Sequence, residues 1–113
     1  MEKLCKIRDI QRAVAAFEHL FEKKYGICLN EGMALCSLHK ASPLSSGEIG
    51  KLLGLSLSNT SKVIASLEKK GFIKRVLGAK DKRRMYFSPT AAGKKLISAV
   101  RSEEIEVPEL GRC

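Results

Sequence analysis

Between Ser45 and Gly71 the chain is punctuated so closely that only short helices fit. Ser45 followed three residues later by Glu48 is a capping-box pattern, in which a hydroxyl and a carboxylate satisfy orphan N–H groups at a helix start. Ile49, Leu52 and Leu53 take the inward positions of that helix, and Gly54 ends it. Ser56 caps the next helix, whose inward positions Thr60, Val63, Ile64 and Leu67 recur at helical spacing until Gly71 closes it. Two such helices joined through Gly54-Leu55 have the pattern of a helix-turn-helix, a motif in which the second helix is typically the one that docks in a major groove.

The flanking segments follow the same logic. Leu4, Ile7, Ile10, Val14, Phe17, Phe21 and Tyr25 are each three or four residues apart and form one apolar stripe on a long first helix, with Gly26 at its end. Asn30 is the expected cap of a second helix running to Lys40, where Ala41-Ser42-Pro43 stops it. After Gly71 the period changes: Phe72 to Leu77 and Arg84 to Ser88 are strand-like, joined by a turn over residues 78–83. Thr90 caps a last helix with Leu96, Ile97 and Val100 on its apolar side. With no Trp, two Tyr and four Phe, the core must be built from aliphatic residues, which favours helices.

Charge narrows the function. The chain carries a formal +9, and from Ser56 to Lys95 eleven bases face two acids, Glu68 and Asp81, while the remaining residues balance ten against ten. The entire excess therefore lies in one stretch, an electrostatic footprint for a polyanion such as double-stranded DNA. Within it, the outward positions of the second short helix are Ser58, Asn59, Ser61, Lys62 and Ser66, with Ser56 at its start. Asn pairs bidentately with adenine, Ser reaches bases or phosphates, and Lys favours guanine or the backbone. The run from Ser56 to Ser61 is poor in helix formers, so propensity did not select it. The hairpin tip gathers Lys80, Lys82, Arg83 and Arg84 around Asp81, and flanking phosphates supply the counter-charge that such a tip needs.

Other chemistries find little support. Cys5, Cys28, Cys36 and Cys113 contain no C-x-x-C pair, so no zinc knuckle is expected, and without a leader segment free thiols in the cytoplasm are the expectation. Cys28 and Cys36 are read as small core residues. His19 and His39 stand twenty residues apart with no converging ligands, so neither a metal nor another cofactor is expected. No nucleophile–base pair or phosphate-binding glycine loop points to an enzyme. No apolar run is long enough to span a membrane.

From about Leu29 to Gly93 the chain resembles the multiple-antibiotic-resistance regulator (MarR) family of winged-helix repressors. The resemblance rests on Leu55-Ser56, on the run from Leu67 to Arg75, and on Asp81-Lys82-Arg83 followed by Thr90-Ala91-Ala92-Gly93. The family's wing reads D-x-R, then a Thr nine residues after the Asp, then x-x-G. Asp81, Arg83, Thr90 and Gly93 keep that register, whereas Pro89 replaces the usual Leu. The resemblance implies that Arg83 reaches the minor groove and that Asp81 shapes the wing by pairing with a base on the hairpin, for which Arg75 and Arg84 are the nearest choices. It implies a homodimer on a pseudo-palindromic operator; a small-molecule effector is possible, in a pocket expected to be reduced or absent where the chain is shorter than its relatives. It also draws attention to Cys5, placed roughly where hydroperoxide-sensing relatives keep a reactive thiol, with Lys3 and Lys6 beside it to lower its pKa.

The expected fold is mainly α: a winged helix-turn-helix with a small antiparallel β-hairpin wing. One domain over 1–113 would comprise a long helix (1–26), the helix-turn-helix (45–71), the wing (72–89) and a C-terminal helix (90–107). Relatives continue through further helices that build their dimer interface, so this chain reads as a short form. Its dimer would then rest on Leu4, Ile7, Ile10, Val14 and Phe17 together with Leu96, Ile97 and Val100.

Overall fold

Ser45 is held as its spacing from Glu48 requires: its hydroxyl accepts the Glu48 N–H at 3.2 Å, and its own N–H donates to Glu48 Oε1 at 3.1 Å. This capping box opens α3 (Ser46–Leu53), and Gly54 ends it in the left-handed conformation, φ 68°. The computed structural model of the protein describes residues 2–77 and 85–102. Before α3 come α1 (Glu2–Tyr25), α2 (Leu29–Ala41) and a two-residue strand β1 (Leu44–Ser45). After it come α4 (Leu57–Lys69), β2 (Ile73–Leu77), β3 (Met85–Pro89) and α5 (Ala91–Ser102). None of the described helices is long and apolar enough to cross a membrane.

The winged unit is Asn30–Ser102. Its buried apolar side chains are Ala34, Leu35 and Leu38 from α2, Leu44 from β1, Ile49 from α3, Val63, Ile64 and Leu67 from α4, then Ile73, Phe87 and Ile97, whereas Leu52, expected inward on α3, is 62% exposed. Helices α3 and α4 cross closely because Gly50 has no side chain. A Cβ there would stand 2.6 Å from Thr60 Oγ1, whose hydroxyl is already committed to the Ser56 carbonyl at 2.7 Å. Thr60 is 1% exposed, so nothing can shift outward to make room.

Helix α4 ends in a Schellman arrangement: Phe72 N–H donates to the Leu67 carbonyl and Gly71 N–H to the Glu68 carbonyl, both at 3.0 Å. The motif needs a left-handed residue, which Gly71 supplies at φ 79°. The chain then turns directly into β2.

The sheet has three strands in the order β1-β3-β2, all antiparallel. The hairpin pairing sets Ile73 against Pro89, Arg75 against Phe87 and Leu77 against Met85. The third strand was not expected. Leu44 and Ser45 pair with Phe87 and Tyr86, so β3 is the central strand, and Pro89 falls at its end, where its missing N–H leaves the described ladder intact.

Thr90 closes the wing at its base. Its hydroxyl donates to the Gly71 carbonyl at 2.6 Å and accepts from Gly93 N–H at 3.1 Å, while its own N–H donates to the Phe72 carbonyl at 3.0 Å. Gly93 lies so near the Phe72 carbonyl that a Cβ would collide with backbone.

Helix α1 belongs to a second unit. Along it Phe17, Phe21 and Tyr25 form a ladder at i, i+4 spacing, with ring centroids 6.0 and 5.0 Å apart. Leu4, Ile7 and Val14 of its apolar stripe are exposed, whereas Ile10 and Phe17 are half-buried. Cys5 is disulfide-bonded, which corrects the expectation of a free thiol at this position. Cys28 and Cys36 are half-buried thiols rather than core residues, and Cys113 lies outside the described residues.

Candidate nucleic-acid interface

The face of α4 turned away from the core is open. Ser56 occupies the N-cap, its hydroxyl accepting Asn59 N–H at 3.1 Å, and Leu57, Ser58, Asn59, Ser61 and Lys62 are all exposed. No acid lies in the first turn. The helix therefore presents small hydroxyls, one amide and one cation on a rigid element whose inner face is locked by Thr60, Val63, Ile64 and Leu67.

Ser66 is placed differently. One turn after Lys62, it reads from spacing as outward-facing, yet its hydroxyl donates to Glu31 Oε2 at 2.9 Å and the residue is half-buried. It belongs to the packing between α2 and α4 and not to the open face. Glu31, only 4% exposed, is the organiser: it also accepts from Lys70 Nζ at 3.0 Å through Oε1 and 3.1 Å through Oε2. Sequence reading missed this carboxylate, although Glu31 stands four residues before Leu35 and seven before Leu38, on the buried stripe of α2.

A second ion pair ties α4 to the wing. Arg75 on β2 donates through Nε to Glu68 Oε2 at 2.8 Å and through Nη2 to Oε1 at 3.2 Å, a bidentate fork. The hydrogen bond to Glu68, then its charge, raises the Arg75 pKa further. The guanidinium carbon also lies 6.0 Å from the centre of the Phe87 ring. Arg75 is thus engaged with Glu68, while its expected pairing with Asp81 lies outside the described residues. The two acids Glu31 and Glu68 are both held by bases, while Lys62, Lys69 and Lys74 are exposed on α4 and β2.

The expected wing-tip residues Lys80, Asp81, Lys82, Arg83 and Arg84 lie outside the described residues. At the expected dimer surface of α5, Leu96 and Val100 are half-buried. Ile97 is 2% exposed and is corrected to a core residue, since a side chain already buried in its own protomer offers no area to a second copy.

Comparison with known proteins agrees with this geometry. The family description "MarR family" matches residues 27–85. YcgE, an uncharacterized HTH-type transcriptional regulator of Bacillus subtilis, is 38% identical over 60 residues, covering 53% of this chain and 39% of that protein. A second Bacillus subtilis regulator of the same description, YwaE, is 29% identical over 96 residues, covering 85% of this chain and 56% of that one. The chain thus spans only part of the length of both. Among solved structures, a Staphylococcus aureus MepR–DNA complex is similar with a TM-score of 0.69 at 26% identity, over 85% of this chain and 79% of that one. A mutant MarR from E. coli complexed with operator DNA shares the fold with a TM-score of 0.75 at 20% identity, over 82% and 66% of the two chains. With the helix-turn-helix, the three-stranded wing sheet and a family match across more than half of its residues, this chain belongs to the MarR family.

Proposed function

We propose that this protein is a sequence-specific DNA-binding transcriptional regulator that lays α4 in a major groove and its wing along the adjacent minor groove. The observation that carries this reading is the open face of α4: Ser58, Asn59, Ser61 and Lys62 are exposed, with no acid in the first turn, inside the one stretch that holds the whole +9 excess. The likeness to the MepR–DNA complex supports it. In this reading Asn59 and Lys62 touch base edges, Ser56, Ser58 and Ser61 touch bases or phosphates, and Lys80, Lys82 and Arg84 flank the minor groove that Arg83 enters. The protein acts in the cytoplasm as a homodimer on a pseudo-palindromic operator and represses by occluding the promoter. The exposed Leu4, Ile7 and Val14 contribute to the dimer together with Ile10, Phe17, Leu96 and Val100.

Selection of bound sequences from a pool of random duplexes tests the proposal. A palindromic consensus is the expected result. Binding without a consensus would make the protein a non-specific DNA binder, and no retained duplex would point to a winged helix that docks on protein instead.

A further inference from the structure

Leu57 is the most exposed large apolar residue among those described, at 79%, and it is the first residue of α4. The core does not use it: the inward positions of the helix are Thr60, Val63, Ile64 and Leu67, all buried. Its flank is open as well, since Ser61, one turn on at i+4, is exposed. A solvent-facing first turn would favour an acid, which complements the helix dipole. This turn has no acid and carries an exposed leucine, a combination that fits the approach of a polyanion with an apolar feature in its groove.

We propose that Leu57 is a specificity-determining residue that reads the C5-methyl group of a thymine in the major groove. The inference rests on the DNA-binding reading above and adds to it a base preference that polar residues do not supply. The thymine methyl is the one apolar group that base pairs display in the major groove, and it discriminates A·T from G·C by contact alone. Residues at the N-terminal end of a recognition helix are the ones that reach base edges. Leu57 sits in the same turn as Ser58 and Asn59, so an Asn59–adenine contact and a Leu57–thymine contact would together select an A/T-containing half-site.

The test uses the full chain and the duplex recovered from random selection. Each thymine is replaced in turn by deoxyuridine, which removes only the methyl group and keeps every hydrogen bond. One thymine per half-site is expected to stand out, with affinity falling about fourfold per methyl lost from an apolar contact. Leu57→Ala is expected to bind the parent duplex at least as weakly as the wild type binds the deoxyuridine duplex, and to show no further loss on that duplex. Leu57→Met should keep the discrimination. Thermal unfolding of both variants should match the wild type, because the side chain is exposed. A flat deoxyuridine scan, or a Leu57→Ala protein that still discriminates thymine from deoxyuridine, overturns the Leu57 assignment and leaves DNA binding standing. Failure to retain any duplex overturns both.

Discussion

Lys70 grips both oxygens of Glu31, at 3.0 and 3.1 Å, and so fastens the end of α4 to the start of α2 across thirty-nine residues of sequence. The Glu31 side chain is 5% exposed and the Lys70 side chain 36%. A carboxylate taken this far from water is costly unless its partners stay in place. Lys70→Met is therefore expected to lower the unfolding free energy by about 2–3 kcal/mol, at the low end for a buried pair because the ammonium keeps some water. Glu31→Gln should cost less, since an amide oxygen still accepts from Ser66. Urea unfolding of both variants checks the order, and equal losses would show that charge is not what the site uses.

The contact between Gly50 and Thr60 makes a separable claim. Gly50→Ala places a Cβ 2.6 Å from Thr60 Oγ1 and is expected to destabilise by about 1–3 kcal/mol, as overpacked cores do. Adding Thr60→Ala should recover most of that loss relative to Thr60→Ala alone. Gly93→Ala should have no such rescue, because the obstructing atom is the backbone carbonyl of Phe72.

Two acids within the basic stretch allow a test of sign. Removing Glu68 or Asp81 makes the protein more positive, so simple attraction to phosphate predicts tighter DNA binding. If Glu68 aims the wing by holding Arg75, and Asp81 does so by holding Arg75 or Arg84, then Glu68→Ala and Asp81→Ala both weaken binding. Arg83→Ala should weaken it more, and Arg83→Lys should restore little, since an ammonium lacks the guanidinium's planar geometry. The exposed Glu68–Arg75 pair should matter little to stability, under about 1 kcal/mol on unfolding. Titrations against one duplex at fixed salt decide, and tighter binding by either acid-to-alanine variant removes that residue from the positioning role.

Salt reports the footprint as a whole. If each subunit neutralises about four or five phosphates, log K falls against log salt with a slope of about −7 to −9 for a dimer. A slope near zero would contradict the assignment of the +9 excess to a DNA-facing surface.

Local devices were legible in the sequence and distant ones were not. The Ser45–Glu48 box, the Ser56 cap and the Gly71 stop depend on neighbours within a few residues, and each stands in the structure as its spacing implies. Strand β1 is two residues long and exists only because Phe87 and Tyr86 arrive beside it, which no local pattern announces. Ser66 and Ile97 were misplaced for a related reason. Spacing tells which residues share a helix face, but Glu31 from another helix decides what Ser66 meets, and the protomer's own packing covers Ile97. The open face of α4 was legible in its polar members, while Leu57 escaped because an apolar residue at a helix start looks like core until its exposure is known.

The clasp at Thr90 separates two kinds of change that the chain can undergo. Because one side chain bridges the Gly71 carbonyl and the Gly93 N–H, the two feet of the wing meet at a fixed joint whatever lies between them. Exchanging residues 78–84 for those of a relative is then expected to leave unaltered how α5 leaves the sheet. In the proposed DNA-binding reading, the wing is in this sense a graftable part, whose reach could change while the joint that holds it stays constant.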